Sequence, residues 1–475
     1  MAAPMRDRDR SKCRSGAVAA LATSAIALAL AAWPAIESAL AVGPAKVQYE
    51  LAVPGSGGDA GSGTAVHAGT EDGDERPLSA AIDALDNTEV LMLLITIVVL
   101  IALAVVYAVR TRLDRRRWIP LAAAVGLTAV LLIALPAGGA QRAPKPPKQF
   151  FGMSAQTQVP QAQYNRMKQN GAGSFRTGIA WNAVEQSRGH YDFSVFDPYI
   201  ERIARAGMEP FVFLATTPEF YGVNCPPPPP GLPRCFANMP HTATQRAAWA
   251  KFLKATVRRY GPNGSFWSSN PGLPKHPLRN YQIWNEENFR FFNDTRSPSL
   301  YGALLKTSHA AIHSVDPGAK VLTGGLFMHP KAKDGIQALT FLNNLYKVKG
   351  IKSAFDGVAI HPYAKDAANL RPDINAVRRL MKRHGDSKTG LYITEFGWGS
   401  GNDTAFEKGL GGQARELTQA YGILRAMRVP AKIIRTYWFA WDDLSNSCNF
   451  CDSAGLVRSD FSAKPALARF KGAAK

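Results

Sequence analysis

The chain has 475 residues and a formal net charge of +20 at pH 7, which leaves room for one large domain with accessory segments. Most of the excess charge lies in residues 149–475, which carry 41 Lys and Arg against 23 Asp and Glu. A domain this basic favours anionic surroundings. Because no nucleic-acid-binding motif accompanies the charge, we do not expect a nucleic-acid partner.

Three hydrophobic segments precede the basic domain, at residues 17–42, 89–109 and 118–138. A run of about 20 apolar residues is long enough to cross a bilayer, so we predict three N-terminal hydrophobic helices. The first segment follows a basic head, residues 1–16, and contains a sequence similar to a signal-peptidase site at residues 39–41. It is therefore either a retained transmembrane helix or a cleaved signal peptide.

The charges between these segments predict their orientation in the membrane. Residues 110–117 form a short loop with five arginines, and such loops stay in the cytoplasm. The Gly-rich, acidic residues 43–88, expected to be disordered, and the domain at residues 149–475 then lie on the outer side of the plasma membrane. A Pro-rich linker, residues 139–148, separates that domain from the last span.

The cysteines are consistent with this placement. Cys225, Cys235, Cys448 and Cys451 all lie in the domain placed outside the cytoplasm, where disulfides persist. Three pairings are possible, and the simplest joins Cys225 to Cys235 and Cys448 to Cys451. The Cys448-x-x-Cys451 spacing is also that of a redox or zinc motif, although a zinc site needs a second ligand pair.

From residue 150 onward, β-rich runs alternate with amphipathic helical patterns. The predicted strands are Phe150–Ala155, Ser174–Trp181, Pro210–Ala215, Tyr281–Glu286, Lys320–Leu326, Asp356–His361, Leu391–Phe396 and Ile433–Trp441. The predicted helices include Gln161–Asn170, Phe196–Ala206, Thr244–Tyr260, Ser299–Val315, Ile374–Arg383, Gln413–Arg428 and Lys464–Phe470. This α/β alternation predicts a (β/α)8 TIM barrel. The alternative, a doubly wound open sheet, usually carries G-x-G-x-x-G after its first strand, and residues 150–160 contain none.

Two of the predicted strands contain a glutamate near their carboxyl ends, Glu286 on strand 4 and Glu395 on strand 7. Catalytic groups of a barrel sit at the carboxyl ends of its strands, so we expect the two carboxylates to face each other across the mouth. Paired carboxylates can break a glycosidic bond, because one protonates the departing oxygen while the other attacks the anomeric carbon.

Four stretches give these glutamates a family context. They are Trp284-Asn285-Glu286, Thr394-Glu395-Phe396-Gly397, the segment from Trp181 to Phe193, and the segment from Ala454 to Ala466. Together they resemble clan A of the retaining glycoside hydrolases, with family 39-like and family 5-like barrels as the nearest relatives. The resemblance covers nearly all of residues 149–475.

The resemblance implies that Glu286 is the acid/base, that Glu395 is the nucleophile and that no cofactor or metal is needed. The chain departs from the clan at Glu287, where a proline is usual. This change puts the geometry of the following loop in question. Since side chains alternate along a strand, we expect Glu287 to point away from Glu286.

The resemblance also implies a set of substrate-binding residues. These are Asn285, Arg176, Trp181, His361, Tyr363, Trp438 and Trp441. Asn285 would bond the sugar 2-hydroxyl, while Arg176, His361 and Tyr363 would lie beside the nucleophile. A tryptophan of strand 8, preferably Trp438, would form the floor under the cleaved sugar, although a barrel tryptophan can equally serve packing.

The sequence therefore predicts a membrane-anchored, extracytoplasmic glycoside hydrolase that cleaves O-glycosidic bonds of a cell-envelope or extracellular polysaccharide with retention. The alternatives are a transglycosidase using the same intermediate and a non-catalytic carbohydrate receptor. The positive charge has two interpretations. It attracts the domain to anionic lipid headgroups, or it surrounds the mouth and receives an anionic polysaccharide.

Overall fold

The computed structural model describes residues 144–155, 158–229, 231–444, 448 and 450–475. The predicted hydrophobic helices at 17–42, 89–109 and 118–138 lie outside these residues. Within the described part of the chain, no helix combines the length and apolar character that a membrane span requires.

The described residues form nine strands and ten α-helices. The strands are β1 Phe151–Ser154, β2 Ser174–Ala180, β3 Glu209–Ala215, β4 Asn280–Ile283, β5 Lys320–Leu322, β6 Leu326–Phe327, β7 Gly357–His361, β8 Gly390–Phe396 and β9 Ile433–Phe439. The helices are α1 Gln161–Gln169, α2 Trp181–Val184, α3 Asp197–Arg205, α4 Ala243–Tyr260, α5 Ser265–Ser269, α6 Pro298–His313, α7 Ala338–Tyr346, α8 Leu370–Arg383, α9 Gly409–Met427 and α10 Pro465–Ala473. Short 3₁₀ turns occupy Lys148–Phe150, Glu219–Tyr221, Ile351–Ser353, Ala367–Asn369 and Cys451–Ser453.

The strands close into a parallel barrel, as the alternation predicts. Every strand pairing is parallel, β1 pairs with both β2 and β9, and the circle closes where Leu322 of β5 pairs with Gly357 of β7. Because β5 and β6 are two pieces of the fifth strand, the barrel has eight strand positions. The (β/α)8 fold is confirmed.

The helices cover the outside of the barrel with their apolar faces turned inward. Helix α8 buries Leu370, Ile374, Val377 and Met381, which recur with helical period along one face. Inside the barrel, a separate apolar layer fills the centre. Its members are Phe211, Leu322, Ala359, Tyr392 and Tyr437.

The fourth strand is shorter than the sequence pattern predicts. It ends at Ile283, because Trp284 and Glu286 have positive φ angles of 72° and 44°, outside the extended region that a strand requires. Glu286 therefore lies in the loop after β4. Strand alternation was consequently the wrong reason for separating it from Glu287.

The fifth strand is interrupted where the sequence predicts one continuous element. Gly324 and Gly325 lie between β5 and β6, and Gly325 has a φ of +80°, which glycine tolerates. A Cβ atom on Gly324 would lie 2.4 Å from Oε2 of Glu287, and one on Gly325 would lie 2.3 Å from Nε2 of His361. The interruption thus makes room for two side chains at the mouth of the barrel.

Candidate active site

A pocket of about 480 Å³ opens at the carboxyl ends of the strands, where barrel active sites are found. Residues at or just after the ends of β1, β2, β3, β4, β7, β8 and β9 line it. Its polar groups include Arg176, Asn285, Glu286, Tyr363 and Glu395. The structure therefore brings together five of the residues that the sequence singles out.

Glu286 lies on the β4 side of the pocket with its carboxyl group almost fully buried. Its Oε1 is 2.8 Å from Nδ1 of His361, and its backbone N–H donates to the carbonyl of Gly324 at 2.9 Å. Burial raises the pKa of Glu286, although His361 acts against the rise. The environment of Glu286 thus favours the protonated form, which a general acid needs.

Glu395 lies opposite, near the end of β8, and both of its carboxylate oxygens accept hydrogen bonds. Arg176 Nη1 donates to Oε1 at 2.6 Å, and the Tyr363 hydroxyl donates to Oε2 at 2.7 Å. Burial alone would raise the pKa of Glu395, but the electrostatic influence of His361 and Arg176 and the hydrogen bond from Tyr363 hold that pKa below its usual value. Glu395 is therefore kept ionised, as a nucleophile must be.

His361 lies between the two glutamates and is fully buried. Its Nε2 is 3.0 Å from Oγ1 of Thr394, and its Nδ1, beside Glu286, is also 3.7 Å from Oε2 of Glu395. One carboxylate oxygen from each glutamate and one ring nitrogen of His361 lie within 4.8 Å of one another. The two carboxylates are thus close neighbours across the pocket.

A buried polar network fixes the floor of the pocket. Arg176 donates from Nη2 to Oδ1 of Asn285 at 2.9 Å and from Nε to Oε1 of Gln282 at 3.2 Å. Gln282 in turn donates to the carbonyl oxygens of Trp284 and Gly324 at 3.1 and 2.7 Å. Gln282 was not among the residues expected at the site, although a glutamine within a barrel strand needs a hydrogen-bond partner when it is buried.

The predicted tryptophans do not line the pocket, and this corrects the sequence interpretation. Trp181 stacks on Tyr221 in the core and donates to Oε2 of Glu185 at 2.6 Å. Trp438 packs on the helix side of β9 against the Phe396 and Trp398 rings, 5.5 and 6.1 Å away.

The third tryptophan, Trp441, is fully buried beyond the end of β9 and donates to Oε1 of Gln163 at 3.2 Å. The residue of β9, the eighth strand position of the barrel, that lines the pocket is Phe439. Tyr437, two residues earlier, packs 4.9 Å from Phe211 inside the barrel. Because successive side chains of a strand alternate, Tyr437 and Phe439 share the inner face, and Trp438 takes the outer one.

Glu287 is buried but does not line the pocket. Its Oε1 accepts a 3.3 Å hydrogen bond from the backbone N–H of Gly324. Burial raises the pKa of Glu287 to about 8. The structure therefore places Glu287 in the supporting layer behind the site and leaves Glu286 as the glutamate that faces the pocket.

Both predicted disulfides are present. Cys225 is bonded to Cys235 with an S–S distance of 2.00 Å, and Cys448 is bonded to Cys451 at 2.03 Å. The second pair lines the pocket on the side of Phe450. In this disulfide form, Cys448 and Cys451 cannot bind zinc, because both sulfur atoms are bonded to each other and neither is a thiolate.

Two groups of described residues bring possible metal ligands together. One is Glu286, His361 and Glu395, and the other is His309, His313 and Asp356. In the first group, Glu395 already forms an ion pair with Arg176, and this guanidinium would compete with a metal ion for the carboxylate. The second group lies outside the pocket, where His313 Nε2 is 3.1 Å from Oδ2 of Asp356.

Comparisons with known proteins agree with this architecture. The Glyco_hydro_42 family model, described as beta-galactosidase, matches residues 152–250. A search among curated proteins gives no match.

Solved structures provide the more extensive likeness. A family 39 glycoside hydrolase from the gut symbiont Bacteroides cellulosilyticus WH2 is 19% identical, with a TM-score of 0.53 over 69% of this chain. The chain spans 64% of that structure's length. A GH39 beta-xylosidase from Caulobacter crescentus is also 19% identical, with a TM-score of 0.53 over 70% of this chain and 72% of that one.

A monomeric beta-xylosidase from Caulobacter crescentus CB15 has a TM-score of 0.51 at 19% identity, covering 70% of this chain and 69% of that one. At this level of identity the likeness shows the fold. The described chain is thus a (β/α)8 barrel similar in fold to clan A glycoside hydrolases. It carries two buried glutamates at the carboxyl ends of its strands.

Proposed function

We propose that this chain is a retaining O-glycoside hydrolase in which Glu286 is the acid/base and Glu395 is the nucleophile. One observation carries the proposal. Two buried carboxylates have pKa values shifted in opposite directions, and they lie in one pocket with oxygens within 4.8 Å. Environments that separate the pKa values of two carboxyl groups in this way mark the acid and the base of a site.

The short spacing supports retention over inversion. Retaining enzymes keep their carboxyl groups about 5–5.5 Å apart, whereas inverting enzymes hold them roughly 6.5–9.5 Å apart to admit a water molecule. One carboxylate oxygen of Glu286 lies within 4.8 Å of one of Glu395, which is shorter than the separation of an inverting pair. There is thus room for direct attack by Glu395 on an anomeric carbon.

The proposed reaction has two steps. In the first, Glu395 attacks the anomeric carbon while Glu286 gives its proton to the departing oxygen, which leaves a covalent glycosyl-enzyme. In the second, Glu286, now ionised, takes a proton from water, and the water oxygen displaces Glu395. Arg176 and Tyr363 donate to the two oxygens of Glu395 and hold the carboxylate in position for attack. In the second step, the same two hydrogen bonds stabilise the negative charge that returns to Glu395 when it leaves the sugar.

The other residues of the floor receive supporting roles. Asn285, fixed by Arg176, is placed to bond a sugar hydroxyl next to the reacting carbon. Burial raises the pKa of Tyr363 well above the usual tyrosine value, so its hydroxyl stays a donor. His361 positions Glu286 through the 2.8 Å contact.

We also propose that the barrel lies outside the plasma membrane, held there by the N-terminal hydrophobic segments. The two disulfides support an oxidising compartment. The arginine-rich loop at residues 110–117 supports the orientation.

The decisive experiment for the enzymatic proposal is hydrolysis of a panel of 4-nitrophenyl glycosides, followed by proton NMR of the first product. The panel contains β-D-xylosides, β-D-glucosides, β-D-galactosides and β-D-mannosides. We expect at least one substrate to be cleaved and its sugar to be released with the β configuration. Release of the α anomer would exclude the double displacement. Added alcohol acceptors then distinguish hydrolysis from transglycosylation, since only a transglycosidase prefers the alcohol to water.

A further inference from the structure

Four phenylalanines form a contiguous apolar face on one side of the pocket. They are Phe236, Phe289, Phe291 and Phe292, and we call them the aromatic wall. The Phe291 ring lies 4.8 Å from the Phe292 ring and 5.5 Å from the Phe236 ring, and it stacks on Phe289 at 6.4 Å. All four rings are only half-buried, so part of each apolar face is open to the pocket.

The aromatic wall lies on the same side of the pocket as the proposed general acid. Phe289, Phe291 and Phe292 follow Glu286 on the loop after β4, and the backbone N–H of Phe289 donates to the carbonyl of Glu286 at 2.8 Å. A general acid protonates the oxygen of the departing group. The aromatic wall and the proposed general acid thus share one loop, which puts the wall on the leaving-group side of the proposed site.

Several contacts hold the wall in place. The disulfide between Cys225 and Cys235 ends next to Phe236. Asn238, two residues further on, donates to Oδ2 of Asp294 at 2.8 Å, which joins the loop after β3 to the loop after β4. Trp284 donates from its indole nitrogen to the carbonyl of Phe292 at 2.5 Å. A fixed apolar surface loses little conformational entropy on binding.

Among the described residues that line the pocket, the charged side chains are Arg176, Glu286 and Glu395. Glu286 comes from the loop that carries most of the aromatic wall, whereas Arg176 and Glu395 come from β2 and β8. A binding site for a sugar needs polar groups placed to bond its hydroxyls as well as aromatic faces. The wall supplies the faces, but its four side chains supply no donor or acceptor.

Because the four side chains of the aromatic wall offer no donor or acceptor, we infer that the wall binds an apolar leaving group, such as an alkyl, aryl or lipid aglycone. The sugar occupies the polar floor. The inference rests on the proposed glycosidase function and specifies its substrate class. The enzyme is thereby a glycosidase for glycosides with an apolar aglycone, with selectivity set by the loops after β3 and β4.

The test uses methyl, butyl and hexyl glycosides of β-D-xylose and β-D-glucose, because their leaving alcohols differ little in acidity. We expect kcat/KM to rise about fourfold for each methylene that packs against the wall, since burying one methylene contributes about 0.8 kcal/mol. The double variant Phe291→Ala/Phe292→Ala should flatten the series, so that the values of kcat/KM for the methyl, butyl and hexyl glycosides agree to within about twofold.

Two further variants control for folding. Phe220→Ala removes a half-buried ring from the same β3 loop outside the pocket and should leave the slope of the series intact. Phe291→Leu/Phe292→Leu keeps apolar side chains and should retain most of the slope. Each variant is compared with the wild type by circular dichroism and thermal unfolding before kinetics.

The outcomes separate the inference from the function on which it rests. Hydrolysis with a flat alkyl series overturns the inference and leaves the glycosidase intact. Faster cleavage of xylobiose or cellobiose than of the hexyl glycosides, lost in Phe291→Ala/Phe292→Ala, would assign the wall to a sugar and overturn it too. If none of the glycosides is cleaved, the inference is tested by measuring the affinities of hexyl and methyl β-D-glucoside with isothermal titration calorimetry. Tighter hexyl binding that the double variant abolishes supports the wall as an apolar site, and equal binding of the two glucosides overturns it.

Discussion

The guanidinium of Arg176 donates a 2.6 Å hydrogen bond to Oε1 of Glu395, and both side chains are buried. A buried charge is tolerated when it is paired and hydrogen-bonded. The same contact lowers the pKa of Glu395. One residue thus both stabilises the ionised carboxylate in the fold and prepares it for the proposed nucleophilic role.

Replacing Arg176 by methionine should impair catalysis and shift its pH dependence. Without the guanidinium, the pKa of Glu395 rises, so the carboxylate becomes ionised only at higher pH. The acidic limb of the kcat/KM profile should therefore move to higher pH, and kcat/KM at neutral pH should fall about 100-fold or more. Steady-state kinetics between pH 4 and 9 with the best aryl glycoside measures both effects.

Arg435→Met is the matched control for this variant. Arg435 forms an ion pair with Glu209 outside the pocket, so its loss should lower thermal stability without moving the acidic limb. An equal shift in both variants would show that the limb does not belong to Glu395.

Removing each proposed catalytic carboxyl group should give a distinct kinetic pattern. Glu395→Ala should abolish turnover, with part of the activity restored by azide as a substitute nucleophile. Glu286→Ala should slow substrates with poor leaving groups about 10²- to 10⁴-fold and spare those with very good ones, which need little protonation. Rates for a series of aryl glycosides with different leaving-group acidity measure the pattern. Full activity of Glu395→Ala on any substrate would contradict the assignment.

Glu287→Gln tests the neighbouring glutamate through stability. The pKa of Glu287 is raised from about 4.5 to about 8 in the fold, so the folded state holds a proton that the unfolded chain releases between these values. The contribution of Glu287 to the free energy of unfolding is therefore fully present below about pH 4.5, and it decreases as the pH rises toward 8. The variant mimics the protonated group, so its melting temperature should fall less than that of the wild type between pH 5 and pH 8.

The same variant should keep nearly full activity, because Glu287 does not line the pocket. Differential scanning calorimetry and kinetics on one preparation provide both readouts. A loss of turnover comparable to that of Glu286→Ala would place Glu287 in the reaction after all.

The sequence allowed the barrel and most of the polar floor to be predicted, whereas the three tryptophans expected at the site, Trp181, Trp438 and Trp441, do not line the pocket. Glu286 and Glu395 could be recognised because each lies in a short motif near the predicted carboxyl end of a strand. The family resemblance implies a tryptophan of the last strand, preferably Trp438, under the cleaved sugar, yet the register of β9 turns Phe439 toward the pocket and packs Trp438 against Phe396. A shift of one position reverses the face of a strand residue, and single-sequence patterns rarely fix that register.

The features of the site that the sequence did not predict lie in the loops after the strands. Phe236 and Phe291 come from different loops, after β3 and β4, and meet through contacts that no sequence period encodes. The left-handed conformation of Glu286 is likewise a loop property that its β-rich flanks conceal. The disulfide pairs, in contrast, follow from short separations along the chain.

The orientation of the N-terminal segments stays a prediction with a direct test. Protease added to spheroplasts that produce the full chain should digest the domain at residues 149–475 and spare the loop at 110–117. Mass spectrometry of the non-reduced domain should show Cys225 linked to Cys235. A carboxyl-terminal reporter that is active only in the cytoplasm should stay silent, and its activity would reverse the proposed topology.

The positive charge of residues 149–475 can be assigned by its response to salt. The hypothesis of a basic mouth finds no support in the described lining of the pocket, where Arg176 is the one basic residue and is already paired with Glu395. Exposed charges are screened within about 8 Å at physiological ionic strength. We therefore expect kcat/KM for a neutral aryl glycoside to change by less than about twofold between 0.05 and 0.5 M NaCl. Binding to vesicles that contain anionic lipid should weaken steeply over the same range, as assayed by co-sedimentation. A steep fall with salt in the turnover of an anionic polysaccharide, with the neutral glycoside unaffected and vesicle binding independent of salt, would instead place the functional charge at the mouth of the pocket.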